Sequence, residues 1–143
     1  MNLLVSSCLL GLNCRYCGTG CLSDQVLLLK QKHRLIPVCP EQMGGLPTPR
    51  PPVELAHGRA VTQAGKDVTA QFEKGGEEVV RLAELFECSY AVMKSRSPSC
   101  GCGLVYDGTF SGHCISGNGI TAEMLQKKGI TVLNENNFNE LMK

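Results

Sequence analysis

The sequence predicts an α/β fold: one domain over residues 1–143, with a mostly parallel sheet flanked by helices. Three observations carry that expectation. Short apolar runs bounded by Gly, Pro and Ser alternate with longer amphipathic stretches, the order that crossover connections between parallel strands produce. The chain has 143 residues, 43% hydrophobic and 19% charged, enough for one buried core. No internal repeat and no second domain is visible.

Taken in order, residues 2–7 read as a first strand, apolar through Leu3, Leu4 and Val5 and ending at Cys8. A Gly-rich loop follows over residues 9–21, with Cys14, Cys17 and Cys21 in it. Ser23 or Asp24 caps a helix over 25–33, buried through Val26, Leu27, Leu28 and Leu29. Residues 34–38 form a second strand, in which Pro37 argues for a strand end or a sheet edge, and Cys39-Pro40-Glu41 comes next. Residues 42–56 hold four prolines and two glycines around Arg50. They read as a stiff extended loop over the carboxyl edge of the sheet, the kind that serves as a lid or binding loop. Residues 58–63 are a short edge strand or hairpin arm.

The longest helix starts at Asp67-Val68-Thr69, with Thr69 as cap, and runs to Glu87 on Phe72, Val79, Val80, Leu82, Ala83, Leu85 and Phe86. Gly75-Gly76 marks a kink or a close packing point. Residues 90–93 form a third strand. It opens into Lys94-Ser-Arg-Ser-Pro-Ser-Cys100-Gly-Cys102-Gly103, a polar loop in which Pro98 bars a ladder position. Residues 104–110 are a turn-rich segment or hairpin on Asp107-Gly108. A helix over 120–128 capped by Thr121, a fourth strand over 130–133 and a short helix over 136–143 complete the chain.

Composition excludes some functions. A net charge of +1 supplies no field for long nucleic acid, and 5% aromatics with no Trp supply no platform for stacking bases. No apolar run reaches the ~20 residues that span a bilayer. The first residues lack the basic start and long apolar run of a signal peptide, so the expected setting is the reducing cytoplasm. There, nine cysteines point to metal binding or chemistry rather than cross-links.

Cys8, Cys39 and Cys100 follow the first, second and third strands. In a parallel sheet these tips share one edge, the edge where ligands bind. Thiolates suit zinc or an iron–sulfur cluster. The spacings match neither a zinc finger nor a ferredoxin, since Cys14-Arg15-Tyr16-Cys17 is a lone Cys-x-x-Cys. A cluster on only three cysteines keeps one iron open, a Lewis acid able to hold a soft sulfur atom.

Several motifs then carry a resemblance: Ser7-Cys8-Leu9-Leu10-Gly11, Arg15-Tyr16, Cys39-Pro40-Glu41, Gly45-Leu46-Pro47-Thr48-Pro49-Arg50, Glu54, Lys94-Ser95-Arg96-Ser97-Pro98-Ser99-Cys100-Gly101 and Tyr106-Asp107-Gly108-Thr109-Phe110. In this order they resemble the thiouracil desulfidase family over nearly the whole chain. The resemblance implies an enzyme with a 4Fe-4S cluster on three cysteines, here Cys8, Cys39 and Cys100. It implies removal of sulfur from thiolated uracil compounds without net redox change, notably 4-thiouridine monophosphate to UMP and sulfide, assisted by Glu41 and Ser97. Arg15, Arg50, Lys94 and Arg96 are candidate substrate ligands for a phosphate, with the helix start at Gly119 as a rival. The partner expected is a small thiolated nucleotide or base rather than a nucleic acid. One departure stands out: Cys17 occupies a position where the family has Asp.

Three other readings remain open. The three thiols can be ordinary buried cysteines. The chain can be a non-catalytic iron–sulfur or zinc sensor, with Cys14 or Cys17 as fourth ligand. Cys14 and Cys17 can form an oxidoreductase dithiol, although no helix start follows to activate it.

Overall fold

The computed structural model describes residues 1–143. In chain order the elements are β1 (Asn2–Ser6), α1 (Asp24–Leu27), β2 (Arg34–Val38), α2 (Pro40–Met43), β3 (Val53–Ala56), β4 (Arg59–Thr62), α3 (Thr69–Leu85), β5 (Tyr90–Val92), β6 (Leu104–Tyr106), β7 (Cys114–Ser116), α4 (Ile120–Lys127) and β8 (Thr131–Leu133). Single 3-10 turns cover Ser7–Leu10, Leu28–Gln31 and Asn139–Met142.

The sheet is parallel throughout, in the order β2, β1, β5, β8. Its strands are apolar on both faces, as strands covered on two sides must be. In β1 the two-residue period sends Leu4 toward Val79 and Ala83 of α3 and Leu125 of α4. Leu3 and Val5 face the opposite layer, with Leu9, Val26, Leu29, Phe138 and Leu141. Leu3, Leu4 and Val5 are fully buried, each worth roughly 1.5–3 kcal/mol. No helix is long and apolar enough to cross a membrane.

The connection leaving β1 runs to β2 on one side, and the chain leaving β5 runs to β8 on the other. Between the carboxyl ends of β1 and β5 the two connections diverge. This is the switch point at which an open α/β sheet leaves a crevice. Pro37 costs no ladder bond, because β2 is an edge strand paired only with β1.

Gly75-Gly76 is a packing point, and α3 runs through it unbroken. A Cβ on Gly75 would collide with the Pro40 carbonyl of α2, and one on Gly44 with the Gln71 carbonyl of α3. Gly76 faces Met124 and Thr121 of α4. The long helix is thereby pressed backbone to backbone against the short helix that follows Cys39.

Local expectations change in several places. The helix expected over 25–33 is one α turn, capped by Ser23, that tightens into a 3-10 turn; Leu28 is consequently exposed. Thr69 does not cap α3. Asp67 accepts from its amide, while the Thr69 hydroxyl accepts from Ala60. Leu85 lies off the buried stripe of Phe72, Val79 and Ala83, and Phe86 is the residue on which α3 ends, so both are exposed. Thr121 does not cap α4; its hydroxyl is buried without a partner and Gly119 is the N-cap. The proline-rich stretch ends in a strand, because His57 and Gly58, both at positive φ, make the two-residue turn that folds β3 onto β4. The last helix is only a 3-10 turn.

Candidate active site

Three strand ends deliver the site. The 3-10 turn leaving β1 carries Cys8, and Gly11, in the left-handed region at φ 92°, ends that turn. Cys39 is the N-cap of α2, with Pro40 at the first helical position and Glu41 next. From β5 the chain turns through residues 94–101 to Cys100. Ser6 joins two of these ends, its hydroxyl accepting from the Lys94 amide at 2.8 Å. Cys8, Cys39, Cys100, Glu41, Arg50 and Ser97 all line one cavity of about 510 Å3, within the ordinary size range of small-molecule sites.

The Cys100 loop is held by the start of α4. Gly119, Ile120 and Ala122 donate their amides to the carbonyls of Gly101, Pro98 and Ser99 at 2.7, 2.9 and 3.0 Å. The helix start proposed as a rival phosphate site is therefore filled by the loop it supports. Glu135, just after β8, grips the other end. Its carboxylate accepts from the Ser95 amide at 2.8 Å, and from Lys94 Nζ and Ser95 Oγ at 2.9 Å each.

Glu41 has both carboxylate oxygens engaged by the protein. Its Oε2 accepts from Arg50 Nη2 at 2.5 Å and Nε at 3.2 Å, and its Oε1 from Ser99 Oγ at 2.6 Å. Ser99 is fully buried and uses its only proton on Glu41. Hence the 3.1 Å contact between the hydroxyls of Ser97 and Ser99 is a bond that Ser97 donates. Ser97 Oγ in turn accepts from the amides of Ser99 and Cys100 at 3.2 and 3.0 Å. A continuous line of hydroxyls thus runs from Ser97, at the cavity wall, through Ser99 to the Glu41 carboxylate.

Arg50 was expected to meet substrate phosphate, and its surroundings assign its donors elsewhere. Buried on the proline-rich loop, it also donates from Nη1 to Pro47 O and Thr48 Oγ1 at 3.2 and 2.9 Å, and from Nη2 to Cys14 O at 2.9 Å. All of its N–H directions are engaged, so it is a positioning group for Glu41. Lys94 is likewise committed to Glu135. Arg15 and Arg96 line the cavity without an ion pair. Arg96 is exposed, with φ at 64°, and Arg15 lies 5.8 Å above the Tyr16 ring. Glu54 accepts from the amides of Gly108 and Phe110 at 3.0 and 3.1 Å, fixing the loop between β6 and β7 above the cavity.

A fourth thiol joins the three expected. Cys14 lines the same cavity, and the Cys39 thiol points at Cys14 O at 3.7 Å. Cys17 lies elsewhere: it is exposed, on Thr19, whose hydroxyl pulls its thiol below the usual value. The dithiol reading fails because Cys14 and Cys17 face different surroundings. The family's Asp position, filled here by Cys17, is likewise outside the cavity lining, as is Cys21.

Burial, then the nearby Glu41, pushes Cys100 up to about 12. Cys39 is raised by the Cys14 thiol and by burial. Cys14 is pulled down by Cys39 and pushed up more by Cys8 and by burial, to about 11. Several buried sulfurs in one cavity, beside only one buried guanidinium, favour a cationic group that takes them as thiolates and releases their protons. No three His, Cys, Asp or Glu side chains gather closely enough for a single metal ion. The donor set fits a wider, sulfur-loving core instead.

Ser99 and Glu135 were not singled out in the sequence as site residues, and Cys14 entered only in the alternative readings, as a fourth ligand or as half of a dithiol with Cys17. Ser99 offers one faint signal, a second hydroxyl flanking Pro98; Glu135 offers none.

Comparison with known proteins agrees with this geometry. A solved structure described as [4Fe-4S]-dependent thiouracil desulfidase TudS superimposes with a TM-score of 0.92 at 40% identity, covering 99% of this chain and 95% of that one. An uncharacterized protein of Bacillus subtilis (strain 168), YbbK, is 38% identical over 150 residues, covering 98% of this chain and 99% of its own. The family model for 2-thiouracil desulfurase matches residues 3–137. With fold and match both extending over nearly its whole length, the chain belongs to the 2-thiouracil desulfurase family.

Proposed function

We propose that this protein is an iron–sulfur-dependent desulfidase that replaces the sulfur of a thiolated uracil compound by oxygen, without net redox change. One observation carries the reading: the thiols of three strand tips open into the same cavity as a carboxylate oriented by a saturated arginine. Cys8, Cys39 and Cys100 would hold a 4Fe-4S cluster. When bound, the cluster would supply an iron not held by these three cysteines, a Lewis acid for the thiocarbonyl sulfur.

The chain's own residues supply the rest. Arg50 and Ser99 fix both oxygens of Glu41, which is 17% exposed and keeps an acceptor direction on Oε1 for a water. Glu41 takes a proton from that water as its oxygen adds to the ring carbon. Breaking the carbon–sulfur bond then leaves the carbonyl product and sulfide. The proton taken up by Glu41 is returned to the departing sulfide, while the Ser97–Ser99 line, which donates toward Glu41, holds the carboxylate in place. Atoms balance as thiocarbonyl plus water giving carbonyl plus hydrogen sulfide, and no electrons are exchanged.

The specific substrate we favour is 4-thiouridine monophosphate. The cavity exceeds the needs of a free base, and its two unpaired cations, Arg15 and Arg96, suit a phosphate. Nine cysteines with no disulfide among them fit a cytoplasmic setting. A sensor module is the second reading, favoured by Cys14 as a fourth thiol. The Glu41 network weighs against it, since a sensor needs no oriented carboxylate.

The test is anaerobic reconstitution followed by incubation with 4-thiouracil, 4-thiouridine and 4-thiouridine monophosphate, with sulfide and product both measured. Stoichiometric release of the two, abolished in Cys100→Ala, is expected. Cluster assembly without turnover of any of the three would favour the sensor.

A further inference from the structure

The mechanism above gives Cys14 no part, yet Cys14 is the fourth sulfur of the cavity. It is only 5% exposed, and that small exposed part faces the cavity rather than bulk solvent. The Cys39 thiol lies 3.7 Å from the Cys14 carbonyl oxygen, and Cys8 and Cys100 line the same cavity beside it. Cys14 belongs to the apolar cluster of Leu9, Val26 and Leu29, but where that cluster meets the cavity its carbonyl takes the Arg50 guanidinium at 2.9 Å as well as the Cys39 thiol.

Its backbone setting differs from that of the other three. Cys8 sits in a 3-10 turn, Cys39 caps a helix, and Cys100 lies in a loop clamped by α4. Cys14 stands in the irregular stretch 11–23, which belongs to no helix or strand. It is tethered through its amide to Leu12 O at 2.9 Å and through its carbonyl to Arg50. A residue held this way can withdraw its sulfur at little cost to the fold.

We propose that Cys14 is a displaceable fourth ligand of the cluster. It closes the open iron while the cavity is empty and yields that place to the sulfur of the substrate. The proposal rests on the assignment of Cys8, Cys39 and Cys100 made above. A thiolate is a better match for a soft iron site than water or carboxylate, so Cys14 outcompetes both when no substrate is present. In the exchange the bond from iron to Cys14 breaks as the bond from iron to substrate sulfur forms. The freed thiolate takes up a solvent proton, and no electron moves. Arg50 donates to both Cys14 O and Glu41 Oε2, so the exchange is sensed by the group that orients the carboxylate.

Two consequences separate this from a structural role. The resting cluster carries four sulfur ligands and resists loss of iron in air. Substrate also has to compete with Cys14, which raises its apparent KM without lowering kcat.

The experiment is 57Fe Mössbauer spectroscopy of the anaerobically reconstituted full chain, wild type and Cys14→Ser, before and after saturation with 4-thiouracil. In resting wild type all irons should share one sulfur-ligated environment, and substrate should split them about 3:1. Cys14→Ser should show the split before substrate is added, bleach several-fold faster in air, and have a several-fold lower KM at unchanged kcat. Cys17→Ser, remote from the cavity, should match wild type in every readout.

A resting wild type already split, with Cys14→Ser identical to it, overturns the inference and leaves the desulfidase reading standing. Failure of a Cys14→Ser variant that folds like wild type by circular dichroism to load a cluster also overturns it, because the residue would then be an obligatory ligand. A wild type that assembles no cluster at all removes the desulfidase reading and this inference together. The wild-type comparison needs no variant, so a folding defect in Cys14→Ser leaves the test intact.

Discussion

The floor and the rim of the cavity are built on opposite terms. On the floor, Glu41, Arg50, Ser97 and Ser99 have nearly every donor and acceptor satisfied by the protein itself. At the rim, Arg15 and Arg96 line the cavity with no carboxylate partner, and Tyr16 is 42% exposed. Groups that must act on one bond in one geometry are paid for by folding, before any substrate arrives. Groups that choose among substrates keep their hydrogen-bonding capacity for the ligand. On this comparison, floor substitutions should lower kcat at constant KM, and rim substitutions should raise KM in a substrate-dependent way.

Glu41→Gln should have the largest effect of those that spare the thiols. It preserves shape and removes the base, so kcat should fall by about 10²–10⁴ with cluster content unchanged. Steady-state turnover and iron content on the same preparation check this. A loss below a few-fold would take Glu41 out of the chemistry.

Arg50→Lys comes next. Lysine keeps the charge but cannot reproduce the fork that meets Glu41, Cys14 O, Pro47 O and Thr48. A kcat loss of about 10–100-fold is expected from misplacement of the carboxylate alone. Ser99→Ala, which breaks the hydroxyl line while leaving Arg50 in place, should cost less than Arg50→Lys, with KM unmoved. An equal or larger loss in Ser99→Ala would make the hydroxyl line, rather than the arginine, the main support of Glu41.

The rim gives a smaller, selective effect. Arg96→Ala should raise KM for 4-thiouridine monophosphate by about 10-fold, the worth of one charge-assisted contact, and leave KM for 4-thiouracil unchanged. Equal changes for both compounds would place the phosphate elsewhere, or show that the free base is the substrate.

The same contrast explains what was legible in the sequence. The parallel sheet was, because β1, β2, β5 and β8 are apolar on both faces and alternate with helices. With the sheet came the convergence of Cys8, Cys39 and Cys100 on one edge. The partners on the floor were not legible. Arg50 and Glu41 meet only because the proline-rich loop folds back over α2, and the Ser99 contact with Glu41 spans 58 residues. Read locally, Ser97-Pro98-Ser99 is a turn, which it also is, since Ser97 accepts from the Ser99 and Cys100 amides. The sequence left Cys14 and Cys17 equal candidates for a fourth ligand or a dithiol; the fold buries Cys14 in the cavity wall and leaves Cys17 exposed outside it. Strand β3 was hidden by Pro51 and Pro52, which precede it without interrupting its ladder.

The smallest effect expected belongs to the clamp beneath the Cys100 loop, and it is one of stability. Burial alone would push the Glu135 carboxyl up, but the Lys94 ammonium and the Ser95 amide outweigh burial and bring it below its ordinary 4.5. A carboxyl with a depressed folded-state pKa stabilises the fold fully above its unfolded value and loses that contribution as pH falls through the folded value. Glu135→Gln retains an acceptor for the Ser95 amide and removes the charge facing Lys94. It should therefore be less stable than wild type by about 1–2 kcal/mol at neutral pH. The gap should close as pH drops well below 4.5, where wild-type Glu135 is itself protonated. Urea denaturation of both proteins at neutral and acid pH measures the two gaps. A gap that persists in acid would mean that Glu135 holds the loop by shape and hydrogen bonding, with its charge contributing nothing.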